Sequence, residues 1–277
     1  MLVDGNNFIS HHLKNDKLFA AGKIGITEGK ILYFYLVHNL IDAPSLKEGY
    51  IHSGIFPETE ETVKYFCDVY LSSIKSLDLA PQWCQCILPF EQELYNIHNP
   101  KCYNTRLQDL EPYYFDSPWS HHLQDKKILV ISPFAKSIEY QYLNFDNIWS
   151  GYLKKNFELE VLKFPFCIGL TNDGEMAKYS TYKNCLEHFK NEVSKKEFDF
   201  CIIGAGAYAL PLCSFIKDTM KKSCLHLGGA TQILFGILGN RWKNNPDILK
   251  KVNSFWKPPF PEEIPVNCKL MEEGCYW

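Results

Sequence analysis

The chain has 277 residues, of which 46% are hydrophobic and 22% are charged. This composition is that of an ordinary globular protein, and it excludes a disordered, collagen-like or coiled-coil chain. The formal net charge of −3 and the presence of only two arginines, Arg106 and Arg241, argue against a surface that binds nucleic acid.

The eleven cysteines are odd in number and form no CxxC pair of the zinc-binding type. Several of them, such as Cys201 and Cys213, lie in apolar runs, where cysteine behaves as a small hydrophobic residue. The N-terminal residues lack the basic-then-apolar pattern of a secretory signal. We therefore expect reduced thiols and a cytoplasmic location. The uncharged run 200–216 is too short and too interrupted by glycine for a membrane span, so we predict none.

The sequence pattern of residues 1–122 predicts a mainly helical portion. A short strand is expected at 18–25, and Thr27 is predicted to cap a helix whose apolar residues recur at helical spacing. Two more helices are predicted at 57–76 and 91–98. The aromatic, proline-rich segment 112–118 is typical of a linker or a lid.

Residues 123–245 have a different pattern, in which short apolar runs alternate with helical segments. The runs that predict strands are 127–133, 159–165, 198–204 and 223–229, and the helical segments between them are 136–149, 181–193 and 210–221. This alternation indicates βαβ units, and hence an α/β fold with a mostly parallel sheet. Residues 246–277 contain a proline-rich stretch and are expected to form an extended tail on the surface.

Small or polar residues end three of the predicted strands. They are Ser132 and Pro133, the segment 204–206, and the segment 226–229. Open parallel sheets bind ligands beyond the carboxyl ends of their strands, so these segments should converge on one crevice. Ser137 and Gln141, which follow the first of these strand ends, should then lie near it.

Two of these segments allow more than one interpretation. The GAGAYA sequence contains Gly204 and Gly206, which can bring the backbone close to a phosphate or a sugar, or can simply form a tight turn. An NAD site is disfavoured, because the next strand ends at His226 without the acid that binds the ribose. His226 and Gln232 can direct hydrogen bonds into a cradle formed by Gly228 and Gly229, or His226 can be an ordinary core histidine.

The charged candidates also have structural alternatives. Arg241 can clamp a diphosphate, or it can bind a carbonyl or carboxylate at a helix end. Lys23 and Glu28 lie at a strand-to-helix junction, where a glutamate can bind metal or sugar, accept a proton, or stabilise the first helical turn. Asp173 and Glu175 form a D-x-E pair of the kind found in metal sites, but they lie in a polar loop, which favours an ordinary turn.

Several longer motifs together resemble a group of proteins encoded among bacterial and viral polysaccharide genes. The matching segments are SPFAKSIEYQY at 132–142, GAGAYALPL at 204–212 and HLGGATQILFGILGNRW at 226–242, with GKIGITEGKIL and HSGIFPETEE nearer the N-terminus. The resemblance spans about residues 20–242. More distantly, the arrangement is similar to the GT-D-type (DUF1792-like) glycosyltransferase domain, which opens with an RFGDGE segment.

When the chain is compared with that segment, Lys23 occupies the position of the arginine, Gly25 that of the glycine and Glu28 that of the final glutamate. Ile26 replaces the aspartate and cannot bind a metal, which weakens the case for a divalent Mn²⁺ or Mg²⁺ cofactor but leaves Glu28 as a sugar-binding residue or catalytic base. The resemblance thus implies a Rossmann-like sheet and a glycosyltransferase that moves a sugar from a nucleotide sugar, with a UDP-sugar favoured, to a glycan acceptor.

The expected site has Glu28 as its catalytic residue. The expected substrate-binding residues are Lys23, Gly25, Ser132, Ser137, Gln141, Gly204, Gly206, Tyr208, His226, Gly228, Gly229, Gln232, Arg241 and Trp242. Aromatic residues such as Tyr113, Tyr114 and Trp119 are expected to border the acceptor cleft. The alternative is a non-catalytic module that binds a glycan or a nucleotide sugar, and a nucleotide-linked oxidoreductase is a weaker third hypothesis.

Overall fold

The computed structural model of the chain describes residues 2–41, 43–83, 85–86, 88–166 and 178–277. The predicted pair of Asp173 and Glu175 lies outside these residues, as do Cys84 and Cys167. Within the described residues, a single sheet of seven strands carries helices on both faces.

The strands are β1 (Ala20–Ala21), β2 (Leu79–Pro81), β3 (Tyr103–Thr105), β4 (Lys127–Ser132), β5 (Glu158–Lys163), β6 (Phe200–Ile203) and β7 (Ser223–His226). Their order in the sheet is β3-β2-β1-β7-β6-β4-β5, and every neighbouring pair is parallel. The predicted α/β class with a Rossmann-like parallel sheet is therefore confirmed.

The helices are α1 (Gly5–Lys14), α2 (Ile26–His38), α3 (Ala43–Glu48), α4 (Glu60–Ile74), α5 (Leu88–His98), α6 (Ala135–Tyr142), α7 (Phe145–Ile148), α8 (Tyr182–Ser194), α9 (Ala209–Asp218), α10 (Ala230–Leu234) and α11 (Pro246–Leu249). A π-helical turn, Gly49–Ser53, links α3 to the segment before α4. The predicted helix 136–149 is in fact two helices, α6 and α7, with a break at residues 143–144.

The central strands are apolar on both faces, as a sheet covered by helices on each side requires. Leu129 and Ile131 of β4 belong to a core shared with α2, α4, α8 and α9, while Ile128 and Val130 face the opposite core. Successive side chains of a strand point to opposite faces, so a continuous apolar run fills both cores at once. This is the physical reason why β4 and β6 were recognisable in the sequence.

The sheet continues across residue 122. Strands β1, β2 and β3 come from the N-terminal portion, and β1 joins the rest of the sheet by pairing Ala20 with Cys224 of β7. The N-terminal portion was predicted to be mainly helical with one strand, and it contains three short ones. A domain boundary after residue 122 stays a prediction, but such a boundary would cut one continuous sheet.

Two local predictions need correction. Gly25, and not Thr27, is the N-cap of α2, and it makes no side-chain capping bond. The tail 246–277 was expected on the surface, yet it places the side chains Trp256, Met271, Cys275 and Trp277 in the core. Short 3₁₀ turns such as Pro261–Glu263 give the tail its shape. Among the described residues, no helix combines the length and the apolar character that crossing a membrane requires.

Candidate functional site

A cavity of about 550 Å³ opens beyond the carboxyl ends of β4, β6 and β7. Its volume lies within the range of roughly 300–1,000 Å³ that is typical of small-molecule sites. The three strand ends that the sequence singled out all contribute to its lining, together with the start of α2 and the tail. The expected convergence of these segments on one crevice is therefore present.

Most of the predicted site residues line this cavity. They are Glu28, Lys23, Gly25, Ser132, Gly204, Gly206, His226, Gly228, Gly229, Gln232, Arg241 and Trp242. Their placement brings them together in space, whereas their roles in binding or catalysis stay predictions.

Three other predicted residues do not line the cavity. The Ser137 hydroxyl donates to the Glu263 carboxylate, and the Gln141 amide donates to the Gly236 carbonyl over 3.1 Å. Helix α6 therefore turns both side chains towards the C-terminal segments. Tyr208 is fully buried, and its hydroxyl donates over 2.9 Å to a backbone carbonyl in the loop before α4. These contacts hold the fold together.

The aromatic residues expected at an acceptor cleft are also placed elsewhere. Tyr113 and Trp119 are completely buried, and neither they nor Tyr114 line the cavity. The Trp119 indole donates to the Leu110 carbonyl over 3.1 Å. The segment 112–118 is anchored by the buried Tyr113 ring and contributes no residue to the lining, so it is not a lid over this cavity.

Glu28 lies in the first turn of α2, with only 7% of the residue exposed. Burial raises the pKa of this carboxyl, and a hydrogen bond from its own backbone N–H, the nearby Ser53 hydroxyl and the charge of Lys23 oppose the rise. The carboxylate folds back over Gly25, where any side chain would overlap it. The glycine therefore allows a buried carboxylate to stay at the helix start and still face the cavity.

Lys23 brings a cation into the same cavity. Burial lowers the pKa of its ammonium group, although the carboxylate charge of Glu111 opposes that effect. Its Nζ lies 5.3 Å from the centre of the Trp83 ring. No carboxylate of the described residues lies within 4.0 Å of it. The ammonium therefore lacks a directly paired anion, which an anionic ligand would supply.

His226 closes β7 beneath Lys23. Burial, and then the charge of Lys23, lower the pKa of its imidazole to about 3. Its Nδ1 lies 3.2 Å from the Ile203 carbonyl. A neutral ring that donates from Nδ1 leaves Nε2 as a hydrogen-bond acceptor. The geometry thus combines both interpretations of His226, because it is a satisfied buried histidine that also borders the cavity.

Replacing His226 by Gln should make the free energy of unfolding less dependent on acidic pH. The folded pKa of about 3 lies below the ordinary 6.5, so the unfolded state binds more protons between these values and the wild type loses stability as pH falls through them. Denaturant titrations from pH 4 to 7 measure the slope. The exposed His38 of α2 gives a matched control, His38→Gln, against which the slope of His226→Gln is compared. An unchanged slope in His226→Gln would contradict a neutral buried imidazole.

Two glycines of the motifs adopt left-handed backbone conformations, with φ of +51° at Gly206 and +64° at Gly228. Such φ values are costly for residues that carry a side chain. Gly204 has a different reason, because a Cβ there would lie 2.9 Å from the Gly228 carbonyl oxygen. At Gly229 a Cβ would lie 2.6 Å from the Tyr276 ring. Part of the glycine pattern therefore serves close packing of the two turns and of the tail.

Arg241 borders the cavity and is already engaged. Its guanidinium pairs with the Glu272 carboxylate and lies 4.7 Å from the centre of the Tyr276 ring. The structural alternative for this arginine, a bond to a carboxylate, is therefore present alongside its position at the cavity. The four tail residues in the lining, Met271, Glu272, Tyr276 and Trp277, were not predicted. The density of aromatic and acidic residues at 271–277 was the available signal.

His52 and Ser53 of the π-helical turn also line the cavity, and neither was predicted as a site residue. Three buried polar atoms in the cavity lining have no hydrogen-bond partner among the described residues: His52 Nδ1, Thr231 Oγ1 and Gln232 Oε1. An unsatisfied buried polar group costs about 1–3 kcal/mol. Such a concentration of unmet hydrogen-bonding capacity is typical of a ligand site. The HSGIFP motif, which begins at His52, was the available signal.

The donor set does not fit a D-x-E metal site. Ile26, in the place of the aspartate, offers no ligand atom to the cavity it lines. Across the described residues, no cluster of three or more His, Cys, Asp or Glu side chains is arranged to hold a metal ion. We therefore assign no step to a metal.

Comparison with known proteins gives one structural similarity. No protein-family model matches the chain, and no curated protein is significantly similar to it. A solved structure titled as the selenomethionine-substituted domain of unknown function 1792 aligns over 92% of this chain and 90% of its own, with 11% identity and a TM-score of 0.43. This similarity says nothing of a substrate.

Proposed function

We propose that this protein is a glycosyltransferase that transfers a sugar from a nucleotide-sugar donor, with a UDP-sugar favoured, to a glycan acceptor. One observation carries the proposal. Glu28 from the N-terminal portion lines the same cavity as Lys23, Arg241 and the two glycine turns that follow β6 and β7. The cavity thus brings together a carboxylate, two cations and accessible backbone at a single edge of the sheet. These are the groups that this reaction needs.

The donor diphosphate would lie along the backbone of Gly206 and Gly228, whose turns follow the strands. The ammonium of Lys23 and the guanidinium of Arg241 would balance its charge. Glycosyl transfer breaks the bond between the sugar and the diphosphate, so negative charge develops on the leaving group. Cations that are already in place stabilise that charge most in the transition state.

Glu28 would act on the acceptor. Its carboxylate would take the proton of the attacking hydroxyl as the new glycosidic bond forms. The pKa of this buried carboxyl is raised, and a base whose pKa is nearer to neutral accepts a proton more readily in the transition state. The acceptor Nε2 of His226 would accept a hydrogen bond from a sugar hydroxyl.

A panel of UDP-sugars tests the proposal. The purified protein is incubated with each sugar and with candidate acceptors, with and without Mn²⁺, and released UDP and thermal shifts are recorded. We expect stabilisation by at least one UDP-sugar and UDP release with a suitable acceptor. A thermal shift with NAD and none with any nucleotide sugar would refute the proposal.

A second function is favoured by Ile26. Because this residue replaces the aspartate of the GT-D-type segment, the cavity could bind a nucleotide sugar or a glycan without turning it over. Stabilisation by UDP-sugars, with no turnover on any acceptor tested, would support this non-catalytic binding module.

Replacing Glu272 by Gln should increase the affinity for UDP severalfold. In the free protein the Glu272 carboxylate pairs with Arg241, and a diphosphate would have to compete with it for the guanidinium. Calorimetric titration with UDP at low ionic strength measures the change. The matched control is Glu262→Gln, since Glu262 belongs to another exposed ion pair, with Lys136, away from the cavity. Weaker UDP binding in Glu272→Gln would instead mean that Glu272 holds Arg241 in position for the ligand.

A further inference from the structure

A second, smaller cavity of about 280 Å³ lies beside the carboxyl end of β2. Amide side chains dominate its lining, and its polar residues are Gln82, Gln92, Tyr95, Asn96, Asn99 and Asn104. No charged side chain of the described residues lines it. This cavity, called the amide pocket below, has no part in the proposed donor site.

The fold explains why these amides meet. Gln92 and Asn96 are four residues apart and therefore share one face of α5. Gln82 directly follows β2, and its backbone N–H donates over 3.2 Å to the Asn104 side-chain oxygen on neighbouring β3. Tyr95 also lines the pocket, and its buried hydroxyl has no hydrogen-bond partner in the part of the chain that the structure describes. The pocket is thus formed by one helix face and two strand ends.

Not every amide is available to a ligand. The Asn99 amide donates over 2.8 and 2.7 Å to two carbonyls at the end of α4 and just after it, so it holds the fold together. The side chains of Gln92 and Asn96, in contrast, are exposed and make no hydrogen bond to any described residue. Each amide offers both a donor and an acceptor, which is the pairing that a sugar hydroxyl can satisfy twice. A neutral pocket gives no advantage to a phosphate or a metal ion.

The amide pocket adjoins the main cavity through the chain itself. Gln82 lines the amide pocket, and the next residue, Trp83, lines the main cavity, where its indole donates to the Ile24 carbonyl over 3.1 Å. Both cavities lie at the edge of the sheet where parallel strands end. Gln82 and Trp83 are neighbours in the chain, so the span between the two cavities is of the order of an oligosaccharide's length.

We infer that the amide pocket binds a neutral sugar residue of the acceptor glycan, next to the residue that reacts in the main cavity. The role as an acceptor subsite rests on the proposed function, whereas the binding of a neutral saccharide by the pocket does not. A single sugar ring with its hydroxyls matches both the small volume and the uncharged, amide-rich lining.

The experiment is ligand-observed NMR with neutral hexoses, N-acetylhexosamines and their disaccharides at millimolar concentration. We expect at least one saccharide to bind the wild type, and the double variant Gln92→Ala/Asn96→Ala to weaken its binding at least fivefold. Alanine is well tolerated in a helix, so this variant should fold. Asn191→Ala, an exposed amide of α8, is the matched control and should bind as the wild type does.

UDP binding by each variant, measured in parallel, separates this inference from the proposed function. The double variant should keep the wild-type thermal shift with UDP. If the wild type binds no neutral saccharide, or if the double variant binds it equally well, the inference is wrong. Saccharide binding that is lost in the double variant would support the pocket even if UDP did not bind at all, and that result would contradict only the proposed donor.

Discussion

Replacing Glu28 by Gln should lower turnover of the nucleotide sugar by a factor of about 100 to 10,000, the usual contribution of a general base. The amide keeps the size and hydrogen bonds of the side chain but cannot take a proton. The measurement is the release of UDP in the presence of an acceptor. Binding of UDP alone should change little, because Glu28 acts on the acceptor side of the cavity.

The pH profile adds an independent test of the same residue. Burial raises the pKa of Glu28 above its usual 4.5, and a base must be deprotonated to act. Turnover by the wild type should therefore rise with pH through a value above 4.5, and Glu28→Gln should lose this acid limb. Glu58→Gln is the matched control, since Glu58 is exposed and does not line the cavity, and it should keep both turnover and the acid limb. Full turnover by Glu28→Gln would remove Glu28 from the chemistry.

The parts of the fold that were predictable are those with a strong local signal. Strands β4, β6 and β7 are apolar runs that fill two cores, and the helix α4 begins at a cap, Thr59, followed by acids. Strands β2 and β3 have only three residues each and are held by pairing along the sheet. Such pairing is a long-range property, so no window of the sequence could show it. The same holds for β1, whose two residues depend on β7.

The site was predictable wherever a glycine or polar residue follows a strand, because topology alone brings those segments together. The prediction that Ser137 and Gln141 lie at the cavity was wrong, because the rotation of α6 decides whether its polar side chains face the cavity or the tail. Ser53 was not predicted as a lining residue, because its position depends on the π-helical turn. The sequence was enough to predict which edge of the sheet carries the cavity. The orientation of each helix, in contrast, is set by packing.

The tail is the largest departure from expectation, and it links the fold to the site. Trp277 is only 7% exposed and lines the cavity, where its ring lies 5.5 Å from Phe166 and 6.4 Å from Phe134, centre to centre. Its indole donates over 2.9 Å to the Glu263 carbonyl. The Glu263 carboxylate in turn accepts from the Lys136 backbone N–H over 2.7 Å. One tryptophan thus connects the tail, the start of α6 and the cavity wall.

Replacing Trp277 by Ala should lower the free energy of unfolding by about 3–5 kcal/mol, the usual cost of removing a large aromatic side chain from a core. The Glu263 carbonyl would also lose its donor. Chemical denaturation measures the loss, and the UDP-induced thermal shift should shrink because the cavity loses part of its wall. Val266→Ala is the matched control, because Val266 lies in the same tail with 87% of the residue exposed, and it should change stability by less than about 0.5 kcal/mol. Equal stability of the two variants would mean that the tail does not belong to the core, and the explanation of Gly229 by close packing against Tyr276 would fail with it.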